Sequence, residues 1–157
     1  MKQKVFDVLD SIKIPYENFE HLPVFTCDEA KWVDIPGQRV KSLLLKNKKK
    51  ENYYMIVLAD EKRLNQDEVR KFFNDSKLSF VDEEKMVELI WIKPWSVSPY
   101  ALVNNSDKNI KVIFDTELKD VEIWFHPLQN DNTVVTNMKN VEEFLSYLWF
   151  EYHYIKL

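Results

Sequence analysis

Three histidines, one cysteine and a lysine set in an apolar strand are the residues whose chemistry stands out in this chain. His21, His126 and His153 lie far apart, and no C-x-x-C or H-x-x-x-H pair is present, so no metal site is expected. The single cysteine, Cys27, reads as a small buried residue rather than a nucleophile. It has no partner for an internal disulfide, which suits a reducing cytosol. His21 and His153 read as structural or surface residues. A glycine-rich phosphate loop is excluded, because Gly37 is the one glycine of the chain. No segment matches the sharp turn that presents a catalytic serine, so a Ser-His-Asp mechanism has no local support.

Lys41 is more informative. In the predicted strand Val40 to Lys46, side chains alternate between faces, so Lys41 shares one face with Leu43 and Leu45. A lysine on an apolar face must find a partner, reach past an edge to water, or sit at a cavity. Taken alone, the position near the strand start allows edge snorkelling. It also allows a cation that holds a substrate oxygen in a partly desolvated cleft. The run Lys46, Lys48, Lys49, Lys50 follows on the same strand and its loop. By itself such a run is a solvated hairpin tip; beside a site it becomes a candidate phosphate clamp.

The elements that must position these residues can be read from periodicity. Val5, Phe6, Leu9 and Ile12 recur at helical spacing over residues 2–13, with Pro15 as the stop. Residues 16–20 look extended, and Thr26 is placed to cap a short helix over 27–33 with Glu29 three positions on. Asp34 to Gly37 reads as a turn. Strands are predicted over 40–46 and 53–59, joined by the charged loop 47–52. The second, YYMIVLA, is apolar throughout, as a strand covered on both faces would be. Helices are expected over 65–74, with Val69, Phe72 and Phe73 on one side, and over 82–89. A Pro-punctuated loop, 93–99, leads to strands at 101–103, 110–114, 121–125 and 133–136, and a last helix runs over 141–150. Helices and strands mix without regular βαβ alternation, which predicts an α+β fold around a mixed sheet.

Composition agrees. A length of 157 residues fits one domain, and 45% apolar with 31% charged residues fits a soluble globular protein. No apolar run reaches the roughly 18 residues of a membrane span, and the opening MKQKVFDVLD is no signal peptide, so a cytoplasmic location is expected. The net charge of −4 argues against sequence-blind nucleic-acid binding, while leaving room for a local basic patch.

Five ordered blocks carry a family resemblance: HLPVFTCDEA (21–30), IPGQRVKSLLLKNKK (35–49), KLSFVDEEKM (77–86), SVSPYALVN (96–104) and HPLQNDNTV (126–134). Together they resemble the freestanding Ala-tRNA(Pro) deacylases of the YbaK/prolyl-tRNA editing family, over nearly the whole chain. The resemblance implies an α+β fold with a mixed, partly barrel-like sheet flanked by helices. It implies hydrolysis of the ester joining a mischarged amino acid to the terminal ribose of tRNA, with no metal or organic cofactor. Lys41 falls at the family's catalytic lysine, where it would orient the ester for attack by water. His126, Asn130 and Thr133 match the residues that line the aminoacyl pocket; the alternative for His126 is a residue pinning the turn before Pro127. Ser42, Ser96 and Pro99 fall at further substrate-binding positions, Ser96 and Pro99 in a loop that normally reads Gly-x-x-x-Pro. Lys46 and Lys77 match positions that touch the acceptor stem. The implied partners are the acceptor end of tRNA(Pro) carrying a small amino acid and, beyond it, prolyl-tRNA synthetase; neither a membrane nor DNA is expected. Deacylation of Cys- or Ser-loaded tRNA, or tRNA binding without catalysis, are the alternative functions.

Two departures from the family matter. Ser42 replaces the Asn that usually follows the catalytic lysine. Trp91, Trp95, Trp124 and Trp149 fall at usual glycine positions, in a chain with five tryptophans where about eleven glycines would be average. Glycine codons GGG and GGA lie one base from UGG and UGA, and some bacterial lineages read UGA as glycine. These four tryptophans are therefore expected to correspond to glycines in the natural protein, with genuine drift as the alternative. As indoles they are expected to overpack their sites, and Trp95 to crowd the aminoacyl pocket.

Overall fold

The computed structural model describes residues 1–30, 34–49 and 52–157. The end of the short helix expected over 27–33, Lys50, and the side chains of Cys27 and Ala30 lie outside the described residues.

The strand YYMIVLA organises the molecule. β3 (Tyr53–Ala59) is buried at six of its seven positions, as its unbroken apolar run predicts. β2 (Val40–Lys46) pairs antiparallel on one side, with Lys41 opposite Leu58 and Lys46 opposite Tyr53. β5 (Ile110–Asp115) pairs parallel on the other side. The mixed sheet is completed by β4 (Ser79–Phe80) beside the end of β2 and β8 (Tyr152–Ile155) parallel to β5, giving the order β4-β2-β3-β5-β8.

A second sheet runs β1 (Glu17–Glu20), β7 (Asn132–Asn137), β6 (Glu122–Phe125), all antiparallel. Among the described residues the two sheets are not closed into a barrel. They are stitched where Gln38 bridges Ile123: the Gln38 N–H donates to the Glu122 carbonyl (2.8 Å), and the Trp124 N–H to the Gln38 carbonyl (3.4 Å). Gly37, with φ of +103°, makes this approach; a Cβ there would meet Trp124 Cδ1 at 3.4 Å. One apolar cluster spans both sheets, with Leu44, Met55 and Val57 from the larger and Ile123, Phe125 and Val134 from the smaller. The opposite face of β3 (Tyr54, Ile56, Leu58) forms another cluster with Val69 and Leu78.

Among the described residues, five helices flank the sheets. α1 (Lys2–Ser11) buries Val5 and Leu9, α3 (Gln66–Phe73) Val69, α4 (Glu83–Ile90) Met86, Leu89 and Ile90, and α5 (Met138–Tyr147) Val141, Phe144 and Leu145. α2 is described over Cys27–Ala30; the Thr26 hydroxyl accepts from the Glu29 N–H (3.1 Å) while the Glu29 carboxylate accepts from the Phe25 N–H. That is the expected capping arrangement, shifted by one residue at its return bond.

Several expectations are corrected. Residues 101–103 are not a strand but part of a 3-10 helix, Pro99–Asn104. Tyr100, Ala101 and Leu102 are buried in succession, so no face is polar and periodicity carries no signal. The Asn104 and Asn105 amides donate to the Ile90 and Leu89 carbonyls at the end of α4, which holds the turn in place. The last helix starts and ends three residues earlier than expected, capped by Asn137, whose side chain accepts from the Lys139 N–H. The edge strands β4 and β8 were not anticipated. Phe72, expected on one side of its helix with Val69 and Phe73, is 54% exposed while Val69 is buried.

The four tryptophans divide into two pairs. Trp91 (φ 62°) and Trp149 (φ 67°) sit in the left-handed region just past α4 and α5. Both are largely exposed, at 57% and 87%, so neither overpacks anything. Trp95 and Trp124 have no positive φ, and both face the cleft described next.

Candidate active site

β4 pairs only with Leu45 and Lys46, so the first half of β2 forms an open sheet edge. A cleft of about 300 Å³ opens along it. One wall is β2 with Arg39, Lys41 and Ser42, and another is the end of β6 with Trp124 and His126. The 24–26 loop and the turn carrying Trp95 close the sides, their rings meeting edge-on where Phe25 and Trp95 lie 5.4 Å apart. The indole of Trp95 forms part of this wall.

Lys41 is half-buried and makes no hydrogen bond or ion pair with any described residue, so its ammonium is uncommitted. A cation held at an apolar strand edge without a protein anion is placed to meet an oxygen on a ligand.

His126 is largely buried. Its Nδ1–H donates to the Asn132 carbonyl (2.8 Å), which fixes the tautomer and leaves Nε2 as an acceptor. Burial lowers its pKa from the ordinary value of 6.5; the Asn132 carbonyl pulls the other way, and nearby His21 adds to the lowering. His126 is thus a neutral imidazole at pH 7. The ring of His21 lies 5.9 Å away and Trp124 6.0 Å away, and the Ser98 hydroxyl donates to the His126 carbonyl (2.8 Å).

Lys41, Ser42 and His126 are therefore brought together. The other expected pocket residues are not in the cleft wall. Thr133 is fully buried and its hydroxyl donates to His21 Nε2 (2.7 Å), while His21 Nδ1–H donates to the Leu22 carbonyl (2.8 Å). Asn130 donates from its amide to the Val24 carbonyl (2.8 Å) and lines a separate depression that also holds Ser96. Pro99 is buried at the start of its 3-10 helix. Thr133 and Asn130 thereby hold the 21–26 loop against β7, and that loop forms the cleft's side.

Lys46 pairs with Ser79, and the Lys48 N–H donates to the Ser76 hydroxyl (3.1 Å), so the lysine loop and Lys77 share one edge. This edge lies five residues along β2 from Lys41, about 17 Å at strand rise. Asp75 ties the two segments together, accepting from Tyr54, Asn47, Asn52 and the Ser76 N–H. Burial raises its pKa, but these hydrogen bonds outweigh it and hold the carboxyl at about 2.

The geometry exposes two residues that the sequence reading missed. Arg39 and Asp60 precede and follow the paired stretch of β2 and β3, and the Asp60 N–H donates to the Arg39 carbonyl (3.3 Å). Both line the cleft. Only the register Val40 opposite Ala59 reveals that they face each other, on the face that carries Lys41.

Comparison with known proteins decides the family. The model of the aminoacyl-tRNA editing domain matches residues 21–144, most of the chain and every element of the cleft. This chain belongs to the aminoacyl-tRNA editing domain family. It is accordingly an aminoacyl-tRNA deacylase, a hydrolase of the ester between an amino acid and tRNA. The prolyl-tRNA editing protein ProX of Acetoanaerobium sticklandii is 30% identical over 145 residues, covering 90% of this chain and 88% of that protein. The prolyl-tRNA synthetase associated domain-containing protein 1 of Mus musculus is 28% identical over 133 residues, covering 80% and 78%. A solved structure described as a candidate trans-editing enzyme for prolyl tRNA synthetase superposes with a TM-score of 0.74 at 20% identity, over 99% of this chain and 96% of that one. At that identity the superposition establishes the fold.

Proposed function

We propose that this editing domain acts in trans on mischarged tRNA(Pro), removes alanine, and releases the free amino acid and the tRNA. The observation that carries the reading is the pairing, in one small cleft, of an uncommitted Lys41 with a neutral His126 whose Nε2 is free to accept. Lys41 takes the developing charge on the ester carbonyl oxygen as water attacks the carbonyl carbon; the ribose oxygen then leaves and takes up the proton that the water gives up. His126 and Ser42 contact the aminoacyl group and orient it. An aminoacyl ester is already reactive, so positioning and charge stabilisation suffice without a protein nucleophile.

A cleft of 300 Å³ stands at the lower end of small-molecule sites, which favours a small amino acid. Relatives named for prolyl-tRNA editing favour tRNA(Pro) as the carrier and prolyl-tRNA synthetase as the enzyme whose errors are corrected. The basic edge around Lys46 and Lys77 receives acceptor-stem phosphates. Among the described residues no helix is long and apolar enough to cross a membrane.

Deacylation measured on tRNA(Pro) charged with alanine, serine, cysteine or proline tests the reading. Alanine is expected to be removed fastest and proline spared. Binding of tRNA with no hydrolysis of any of the four would replace the enzyme by a tRNA-binding paralogue, with Trp95 as the cause.

A further inference from the structure

An aminoacyl ester differs from other esters on RNA in carrying an ammonium on the carbon next to its carbonyl carbon. A cleft that recognises it needs an anion as well as a cation. Lys41 is a cation of the cleft wall with no partner among the described residues. The lining residues include one carboxylate, Asp60.

Asp60 is unusual in its own right. Its side chain is 4% exposed, yet Oδ2 has no hydrogen-bond partner. Arg39 Nε stands 3.5 Å from that oxygen, close enough for an ion pair but outside hydrogen-bond geometry. A buried carboxylate can accept about four hydrogen bonds, and leaving one oxygen without any is costly. The diagonal relation across the hairpin, with Asp60 opposite Arg39 and Lys41 two residues on, separates Asp60 from Lys41 by about 7–8 Å between Cα atoms. Their side chains leave the same face, so a ligand with a positive and a partly negative end fits between them.

We infer that Asp60 binds the α-ammonium of the aminoacyl group, with Arg39 holding the carboxylate in place, so that the site selects esters of free amino acids. This rests on the editing function proposed above. Asp60 touches the substrate but takes no part in bond making, so it sets specificity. Beside the cations Lys41 and Arg39, Asp60 would also repel carboxylates and phosphates from the inner position.

The test compares two esters of the same tRNA, alanyl and lactyl, the second bearing a hydroxyl where the first bears the ammonium. Each kcat/KM is divided by the spontaneous hydrolysis rate of that ester. The wild-type protein is expected to favour the alanyl ester by about ten- to a hundredfold, the worth of a hydrogen bond between charged groups. Asp60→Asn is expected to lower the alanyl value far more than the lactyl one, so that the ratio of the two falls toward one. A merely structural role would lower both together and keep their ratio, which overturns the inference. Where Asp60→Asn fails to fold, the wild-type ratio still decides, since equal handling of the two esters leaves the ammonium unread. Hydrolysis of neither ester by the wild-type protein contradicts the editing function itself, a different failure.

Discussion

His126 shows what a single buried residue can and cannot declare in advance. The sequence allowed it to be either a pocket residue or a pin for the turn before Pro127, and the structure places its ring both at the cleft and against the chain after that turn. Its Nδ1–H pins the Asn132 carbonyl while the ring faces the cleft. Its pKa is lowered chiefly by burial, so its titration midpoint by NMR is expected below 6.5. The sign for stability follows. A group with a depressed folded pKa favours the native state above the unfolded value, and that contribution fades as pH falls from about 6.5 through the lower folded value. His126→Ala is expected to remove this pH dependence and to change the relative rates on alanyl, seryl and cysteinyl esters; unchanged relative rates would leave it a turn residue alone. Lys41 was legible because alternation and the family motif agreed on it. Asp60 was not, because its place depends on which residue of the next strand it faces, and register is a property of the folded hairpin.

At the scale of elements, the helix ends carry information that periodicity lacks. α1, α3, α4 and α5 all finish on a left-handed residue: Lys13, Asn74, Trp91 and Trp149. After α5 the Phe150 N–H reaches the Leu145 carbonyl (2.9 Å) and the Trp149 N–H the Ser146 carbonyl (3.1 Å), the paired bonds of a Schellman end. After α4 the Trp91 N–H donates to the Val87 carbonyl (2.8 Å), the simpler single-bond version. Glycine is the usual occupant of that position, and a bulky side chain there is strained. Two of the four tryptophans thus occupy glycine sites on backbone grounds, in line with a codon read as glycine in the natural gene. Trp91→Gly and Trp149→Gly are each expected to stabilise the protein by about 1 kcal/mol, read as a rise in denaturant midpoint at constant m-value. Trp124→Gly is expected to act the other way, because that indole is 6% exposed and packed against Val135. A loss of stability in all three would reject the glycine interpretation for the helix ends. The central strands and most helices were legible from apolar period. The strand β8 was not: four residues with a mixed pattern are recruited by the parallel edge of β5, a partner distant in sequence.

The whole molecule carries a net charge of −4, yet concentrates Lys46, Lys48, Lys49 and Lys77 along one edge. That asymmetry gives an acidic protein one face that attracts polyanions while the rest repels them. The strand β2 links this edge to the cleft, so one element spans the basic edge and the cleft wall. Lys46→Ala and Lys77→Ala are each expected to weaken tRNA binding and to reduce the logarithmic salt slope by about one unit or less, without altering which amino acid is removed. An unchanged slope in both variants would put the tRNA on another face. Charge placement of this kind was partly legible, since the lysine run was visible, but Lys77 joins it only through the pairing of β2 with β4.

The most direct measurement is single-turnover deacylation of alanyl-tRNA(Pro) by Lys41→Ala beside the wild-type protein, with circular dichroism and the denaturant midpoint recorded on both. Lys41 is half-buried at a sheet edge with no partner among the described residues, so its removal should leave the fold and its stability within about 0.5 kcal/mol. Loss of one charge-stabilising group in such a cleft is expected to slow hydrolysis by about a hundredfold or more while tRNA binding persists. Wild-type turnover by a folded Lys41→Ala protein would contradict the account at its centre.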